Sequence, residues 1–289
     1  MKKKIFVLVG VAGYIAPRHL SVIKELNSNL IASYDVNDSV GVIDKYFPNS
    51  LFFNKHYEFS NYIKKNKKKI DYMVICLPNY LHFKYIKLAL KNDINVICEK
   101  PLVLNLSQLK KLRKIQKKRI TINCIMQLRF NQEVLRLKKF VGLGKKKIHN
   151  IDVQYFTRRG DWFFKSWKGQ PNKSGGLAMN IGIHIFDILF WIFGKFKKII
   201  ITKKIKSEVK GILYLDKAKI KWHISVLKKH KVKRVKRQIK IGNKIFEFSK
   251  NFENLHKKSY LQIFKGKGFG LNEVENGIFI TNKINNEKK

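Results

Sequence analysis

The chain has 289 residues, 45% of them apolar, and sets 62 Lys and Arg against 19 Asp and Glu, a formal charge of +43. That apolar share suits a folded protein with one large or two medium cores and excludes a chain that is mostly disordered. So basic a chain suggests nucleic acid, but its lysines are spread over nearly every surface segment, with runs at Lys64–Lys69, Lys110–Lys118 and Lys228–Lys236. In chain order, Lys4 to Gly10 is an apolar strand and Pro17 to Leu26 a helix. Leu30 to Tyr34 is a second strand, ending at Asp35. Tyr57 to Asn66 is helical, and Tyr72 to Leu77 is an apolar strand of the kind buried on both faces. A helix over His82 to Asn92, a strand over Ile94 to Cys98, a helix over Leu106 to Lys117 and a strand over Ile120 to Met126 complete the series. This β-α-β alternation predicts a doubly wound parallel sheet.

The second half has a different pattern. Ile148 to Phe156 alternates like a strand open on one face, and Gly182 to Gly194 is an apolar helix. Short alternating segments follow at Ile200–Lys203, Val209–Leu215, Ala218–Val226, Lys236–Ile241 and Lys244–Phe248. They predict a C-terminal α+β domain with an open, mainly antiparallel sheet, helices on one side and a boundary near Asn123 to Gln127. The expected domains are thus 1–123 and 124–289.

Three cysteines, Cys76, Cys98 and Cys124, each lie in an apolar run. An odd number so placed predicts reduced buried thiols in a cytoplasmic protein, with no disulfide framework and no metal site. The basic N-terminus leads into a short apolar run, Ile5 to Val11, better suited to a first strand than to a signal peptide. Ile185 to Phe193 contains Asp187 and is too short to span a bilayer, so no membrane partner is expected. The abundance of Lys, Ile, Asn and Phe, with only five prolines, is that of AT-rich codons. No specific nucleic-acid partner is expected, only polyanion affinity from the charge itself.

Gly10-Val11-Ala12-Gly13-Tyr14-Ile15-Ala16 stands between the first strand and a helix. There a glycine-rich turn lets backbone N–H groups meet a pyrophosphate. Its spacing is one residue longer than G-x-G-x-x-G, and a plain tight turn remains an equal reading. Asp35 follows Gly13 by 22 residues at the end of the second strand. There its carboxylate suits a ribose diol and would repel a 2′-phosphate, favouring NAD over NADP. Leu77-Pro78-Asn79-Tyr80-Leu81-His82 puts Asn79 and His82 at the end of the third apolar strand; capping of the next helix is the competing reading for His82. Glu99-Lys100-Pro101 ends the next strand. A charged pair at a strand end is either a ligand contact or an ordinary pair of loop charges.

The segments Gly13–Ala16, Pro78-Asn79-x-x-His82, Glu99-Lys100-Pro101 and Gly175-Gly176-x-x-x-Asn180-x-x-x-His184-x-x-Asp187 occur in this order. Together they resemble the Gfo/Idh/MocA family of NAD(P)-dependent sugar oxidoreductases, over nearly the whole chain. The resemblance implies an N-terminal Rossmann domain joined to an α/β domain with an open antiparallel sheet. Narrower likenesses at Val9–Leu20, Cys98–Asn105, Arg159–Trp162, Ser166–Gly169, Lys173–Gly176, Leu255–Tyr260 and Gly268–Gly270 resemble the WlbA/WbpB branch, the UDP-N-acetyl-2-amino-2-deoxyglucuronate dehydrogenases. That branch oxidises the sugar 3-hydroxyl on the way to surface polysaccharide. Its members hold NAD tightly, in some cases recycle it with 2-oxoglutarate, and form homo-oligomers, commonly tetramers.

The resemblance implies cofactor contacts at Gly10, Ala12, Gly13, Tyr14, Ile15, Asp35, Leu77, Pro78, Asn79, His82, Glu99, Lys100 and Gln127. The chemistry needs a base for the hydroxyl proton and a donor for the developing alkoxide. His184 is the expected base, Lys100 the donor, with its charge set by Glu99 and partial burial, and Asn180 an orienting group. If one helix runs through both, Asn180 and His184 share a face. Many family members carry Asp where this chain has Asn180, which removes one carboxylate from a proton relay. Without the motif, a histidine among Ile181, Ile183, Ile185 and Phe186 reads as an ordinary core residue. A UDP-sugar acid needs cations and donors, for which Arg129, Arg158, Arg159, Lys173 and Ser174 are candidates, with Trp167 as an aromatic wall. Another sugar or inositol dehydrogenase, or a non-catalytic NAD-binding protein, are the alternatives. The cationic stretch Lys228 to Arg237 is expected to weaken its sheet by repulsion.

Overall fold

The computed structural model describes residues 3–143, 148–226, 235–250 and 252–287. Most of the Lys228–Arg237 stretch lies outside them. The chain divides into two compact units, Met1–Ile125 with His256–Glu273, and Met126–Leu255 with Val274–Lys289.

The first unit is built on six parallel strands: β1 (Ile5–Val9), β2 (Asn29–Tyr34), β3 (Leu51–Phe53), β4 (Tyr72–Ile75), β5 (Asn95–Cys98) and β6 (Ile122–Cys124). Their order across the sheet is β3-β2-β1-β4-β5-β6. Helices α1 (Ala16–Glu25), α2 (Val42–Tyr46), α3 (His56–Asn66), α4 (Asn79–Lys91) and α5 (Leu106–Ile115) make the connections. This is the doubly wound Rossmann order, whose direction reverses between β1 and β4. Leu8 and Val74 pack on Leu20 and Ile23 of α1 in one apolar core. Register then fixes where chemistry can occur. Val9 lies beside both Tyr34 and Ile75, and Ile75 beside Cys98. The residues following these strands, Gly10, Asp35, Cys76 and Glu99, therefore gather at the carboxyl edge of the sheet. The three cysteines are buried thiols, and burial raises the Cys76 and Cys98 thiols well above their ordinary range.

Helix α11 (Leu255–Phe264) corrects the expected 124–289 domain: the segment 256–273 belongs to the first unit. Its Tyr260 and Ile263 complete that unit's apolar core, and Phe269 accepts from the Cys124 N–H at 2.8 Å. Local periodicity does not reveal such a return, since the segment's partners are far away in sequence.

The second unit carries β7 (His149–Phe156), β8 (Phe196–Ile205), β9 (Glu208–Leu215), β10 (Ala218–Ser225), β11 (Lys236–Ile241) and β12 (Lys244–Glu247). They are ordered β12-β11-β7-β10-β9-β8; β7 and β10 run parallel and every other pair antiparallel. Its helices are α6 (Gln132–Leu143), α7 (Trp162–Lys165), α8 (Pro171–Ser174), α9 (Gly176–Asn180), α10 (Ile183–Phe193) and most of α12 (Leu271–Asn286). Alternation sends Ile151, Val153, Ile220, Trp222 and Ile224 into a core with α10. Asp152, Gln154, Lys221, His223 and Lys240 line a groove on the sheet. Glu208 answers part of the local positive charge. Burial would raise its carboxyl, yet Lys203, Lys210 and His223 hold it at about 2. Lys204 closes α12, donating to the carbonyls of Ile284, Asn285 and Glu287. Among the described residues no single helix is long and apolar enough to cross a membrane.

Candidate active site

Gly10 begins the turn after β1 with φ +85°, and a Cβ there would lie 2.7 Å from the Cys76 carbonyl carbon, so only glycine fits. Its N–H donates to Tyr34 O at 2.8 Å and its carbonyl accepts from Gly13 N at 3.1 Å, a closed turn leading into α1. No side chain caps the start of α1. Asp35 is buried at the end of β2, with Oδ2 accepting from Ala12 N at 3.0 Å and Oδ1 from Asn37 N at 3.0 Å. The carboxylate is thereby pinned against the glycine turn. Each oxygen has a further lone pair, so this set suits a pyrophosphate and a ribose diol. Ile15 is half-buried, whereas Tyr14 is 86% exposed and borders the turn from the solvent side. Leu77 and Pro78 are half-buried, and Asn79 is buried at the start of α4.

Two of the expected cofactor contacts are otherwise engaged. His82 is fully buried, Nδ1 lying 2.7 Å from Pro101 O and Nε2 2.8 Å from Leu77 O. Its ring ties the loop before α4 to the loop after β5, a structural role for this side chain. Burial lowers its pKa, against those two carbonyls. Glu99 turns inward: Oε1 accepts from His19 Nε2 and His256 Nε2, each at 3.1 Å. Its Oε2 accepts from the backbone N–H of Lys100 at 3.3 Å. Burial would raise the Glu99 carboxyl, but the two imidazoles hold it well below the carboxylate range. The Glu99 carboxylate therefore answers the two histidines. Lys100 follows, half-buried, joined to Pro101 by a cis peptide bond.

His19, His256 and Tyr260 were not among the expected site residues. They stand in the distinctive stretches Val9–Leu20 and Leu255–Tyr260, but no spacing rule links them. Burial keeps the His19 pKa below its ordinary 6.5, opposed by the Glu99 hydrogen bond. The unfolded chain thus takes up the proton first. The stabilisation is complete above about pH 6.5 and is lost as pH falls through the folded pKa, at up to about 1.4 kcal/mol per unit. The melting temperature of the wild type is expected to fall between about pH 7.5 and pH 5.5; a His19→Asn variant with the same slope would refute this assignment.

In the second unit, Gly175 and Gly176 have φ +79° and +75°, a left-handed pair that carries α8 into α9. Asn180 ends α9 and His184 lies in the first turn of α10, both buried. The helix breaks between them at Ile181–Gly182, with a bend of 47°. A single helical face shared by the two is therefore not what the chain builds. A Cβ at Gly182 would press on Ile224 and the Ala178 carbonyl, so packing on β10 dictates the break.

Arg129 also has a partner within the second unit. It is buried, its Nε donating to Asp187 Oδ2 at 2.8 Å and Nη2 to Oδ1 at 2.5 Å. This bidentate pair holds α10 one turn beyond His184, so Arg129 anchors that helix. Ser174 is likewise used internally: fully buried, its hydroxyl donates to Gln170 O at 2.9 Å and accepts from Gly176 N at 3.1 Å. Arg158 is exposed, while Arg159, Lys173 and Trp167 are half-buried. The Lys168 ammonium sits 4.6 Å from the Trp167 ring centre. Gln127 buries its side-chain oxygen with no hydrogen-bond partner among the described residues, a position suited to a ligand amide donor.

Family models match both units: an oxidoreductase-family NAD-binding Rossmann fold over residues 4–126, and the C-terminal alpha/beta domain of the same family over 143–208. The chain belongs to the Gfo/Idh/MocA oxidoreductase family. Within it, the chain is similar to the WlbA (WbpB) dehydrogenase of Thermus thermophilus, solved with NAD and alpha-ketoglutarate. Identity is 35%, coverage 99% of this chain and 96% of that one, and the TM-score 0.95. The same enzyme with NAD and UDP-GlcNAcA superposes with a TM-score of 0.93 at 35% identity, over 99% and 95% of the two chains. Curated relatives match over less of their length. An uncharacterized oxidoreductase of Schizosaccharomyces pombe is 28% identical over 48% of this chain and 37% of its own. Glucose-6-phosphate 3-dehydrogenase of Bacillus subtilis is 23% identical over 63% and 52%. The chain thus spans about a third to a half of those two relatives.

Proposed function

We propose that this protein oxidises the 3-hydroxyl of UDP-N-acetyl-2-amino-2-deoxy-D-glucuronate to the 3-keto sugar with NAD, in the cytoplasm, for surface polysaccharide synthesis. The observation that carries this is the likeness to the Thermus thermophilus enzyme through both units, with that enzyme holding NAD and UDP-GlcNAcA. The first unit fits the cofactor: the Gly10 turn leaves no room for a side chain, and Asp35 offers a carboxylate beside it. NAD, when bound there, would supply the acceptor for the hydride that leaves the carbinol carbon.

The chain's own groups do the rest. His184 takes the hydroxyl proton on its imidazole, and Lys100 donates to the oxygen as negative charge grows on it. Asn180 orients that oxygen, and Gln127 accepts from the nicotinamide amide. Asp35 accepts from the adenosine ribose and disfavours a 2′-phosphate. Arg158, Arg159 and Lys173 balance the diphosphate and carboxylate, beside the Trp167 ring. 2-Oxoglutarate serves as the acceptor that regenerates NAD, and the chain assembles as a homo-oligomer, a dimer or tetramer.

Purified protein is expected to reduce NAD when given UDP-N-acetylglucosaminuronate, and to turn over repeatedly without added NAD once 2-oxoglutarate is present. No NADH formation and no keto product by mass spectrometry would reject this substrate. A second reading, 3-oxidation of a hexose phosphate, is favoured by the Bacillus subtilis relative. Faster turnover of glucose 6-phosphate than of the UDP-sugar would select it.

A further inference from the structure

Around Glu99 the first unit buries a chain of four polar side chains that the proposed reaction does not use. Tyr260 and His19 are fully buried, and Glu99 and His256 nearly so. The Tyr260 hydroxyl lies 2.8 Å from His19 Nδ1, and both histidines reach Glu99 Oε1 through Nε2. An ionised carboxylate can only accept, so each Nε2 must carry its proton. With burial keeping His19 neutral, its Nδ1 is then the acceptor and Tyr260 the donor. This assignment gives each of the three hydrogen bonds one donor and one acceptor. These atoms come from α1, the end of β5 and α11, so the network braces the helix after the glycine turn against the strand end that carries Lys100.

We infer that His19, His256 and Tyr260 are positioning residues for Lys100: they hold Glu99 as a buried anion that fixes the Lys100 backbone and keeps its ammonium charged. Two features point this way. Glu99 Oε2 accepts the Lys100 backbone N–H at 3.3 Å, which sets the direction in which the chain leaves β5. Lys100 follows Glu99 directly in the chain and is itself half-buried, and a buried charge acts at longer range than one in water. Lys100 must be protonated to donate to an alkoxide, so the network acts on the reaction through Lys100 without touching substrate. This rests on the catalytic role proposed for Lys100.

The three ligand atoms of His19, Glu99 and His256 lie close enough to hold a metal ion. The proton assignment fills the same lone-pair directions with hydrogens, and the two descriptions exclude each other.

The test reads Lys100 directly. Competitive acetylation of the intact protein across pH, followed by peptide mass spectrometry, gives the titration midpoint of the Lys100 amine without any substrate. In Glu99→Gln the midpoint is expected to fall by about one pH unit, roughly tenfold in proton affinity. His256→Leu shifts it the same way, and His256→Gln, which keeps a donor at the Nε2 position, restores it to within about 0.3 unit. In the same variants kcat falls about tenfold or more, with NAD affinity within about threefold, and His256→Gln recovers it. An unchanged midpoint in folded Glu99→Gln or His256→Leu protein would overturn the inference. So would one equivalent of a divalent metal in the purified wild type. Should Glu99→Gln fail to fold, the His256 pair decides. A shifted midpoint in a protein whose wild type does not oxidise the UDP-sugar would fault the substrate reading alone.

Discussion

Lys100→Met is expected to lower turnover of the UDP-sugar acid by about 10²–10³-fold or more, and His184→Asn by about 10²–10⁴-fold, with NAD affinity within about threefold in both. Methionine keeps the length and most of the volume of lysine while removing every donor, so the loss measures stabilisation of the developing alkoxide. Asparagine keeps a polar buried group at His184 but holds no proton-accepting nitrogen near neutral pH. Both sites lie outside the Gly10 turn and Asp35, so cofactor binding is expected to survive, as measured by NAD fluorescence titration. The loss should appear in kcat more than in KM, because the interactions strengthen as charge moves. Rates like those of the wild type in both variants would remove these residues from the reaction.

Asp187→Asn is expected to destabilise the protein by about 3–5 kcal/mol, because it leaves the Arg129 guanidinium buried without its counter-charge. For a unit of this size that is a fall of roughly 10 °C in melting temperature. Arg129 and Asp187 are each under a tenth exposed, so solvent cannot replace the lost partner. The paired change Arg129→Met with Asp187→Leu removes both charges and is expected to recover most of the loss. This separates two roles for Arg129. A substrate contact would raise KM in Arg129→Met with little change in stability, whereas a helix anchor lowers stability first. An Asp187→Asn protein that melts with the wild type would return Arg129 to the substrate side.

The parallel sheet was legible because its strands are continuous apolar runs ended by Gly10, Asp35 and Pro78, and such runs suit strands covered on both faces. Less legible were β3, three residues with no room for a period, and α11, whose apolar face completes a core begun some 250 residues earlier. The Gly175–Asp187 motif was visible as a spacing, but its reading as one helical face failed at Gly182. There the close approach of Ile224 on β10, a residue 42 positions further on, decides the backbone.

By itself the sequence determined the doubly wound parallel sheet, the glycine turn with Asp35 at the next strand end, and the family to which those motifs point, because each depends on local pattern and short spacing. Only the tertiary structure decided what the charged and polar side chains do. Glu99 faces His19 from 80 residues away and His256 from 157, and Arg129 faces Asp187 from 58. Buried polar groups must find partners, and the nearest ones come from distant parts of the chain, so no local pattern of residues reveals which pairs will form.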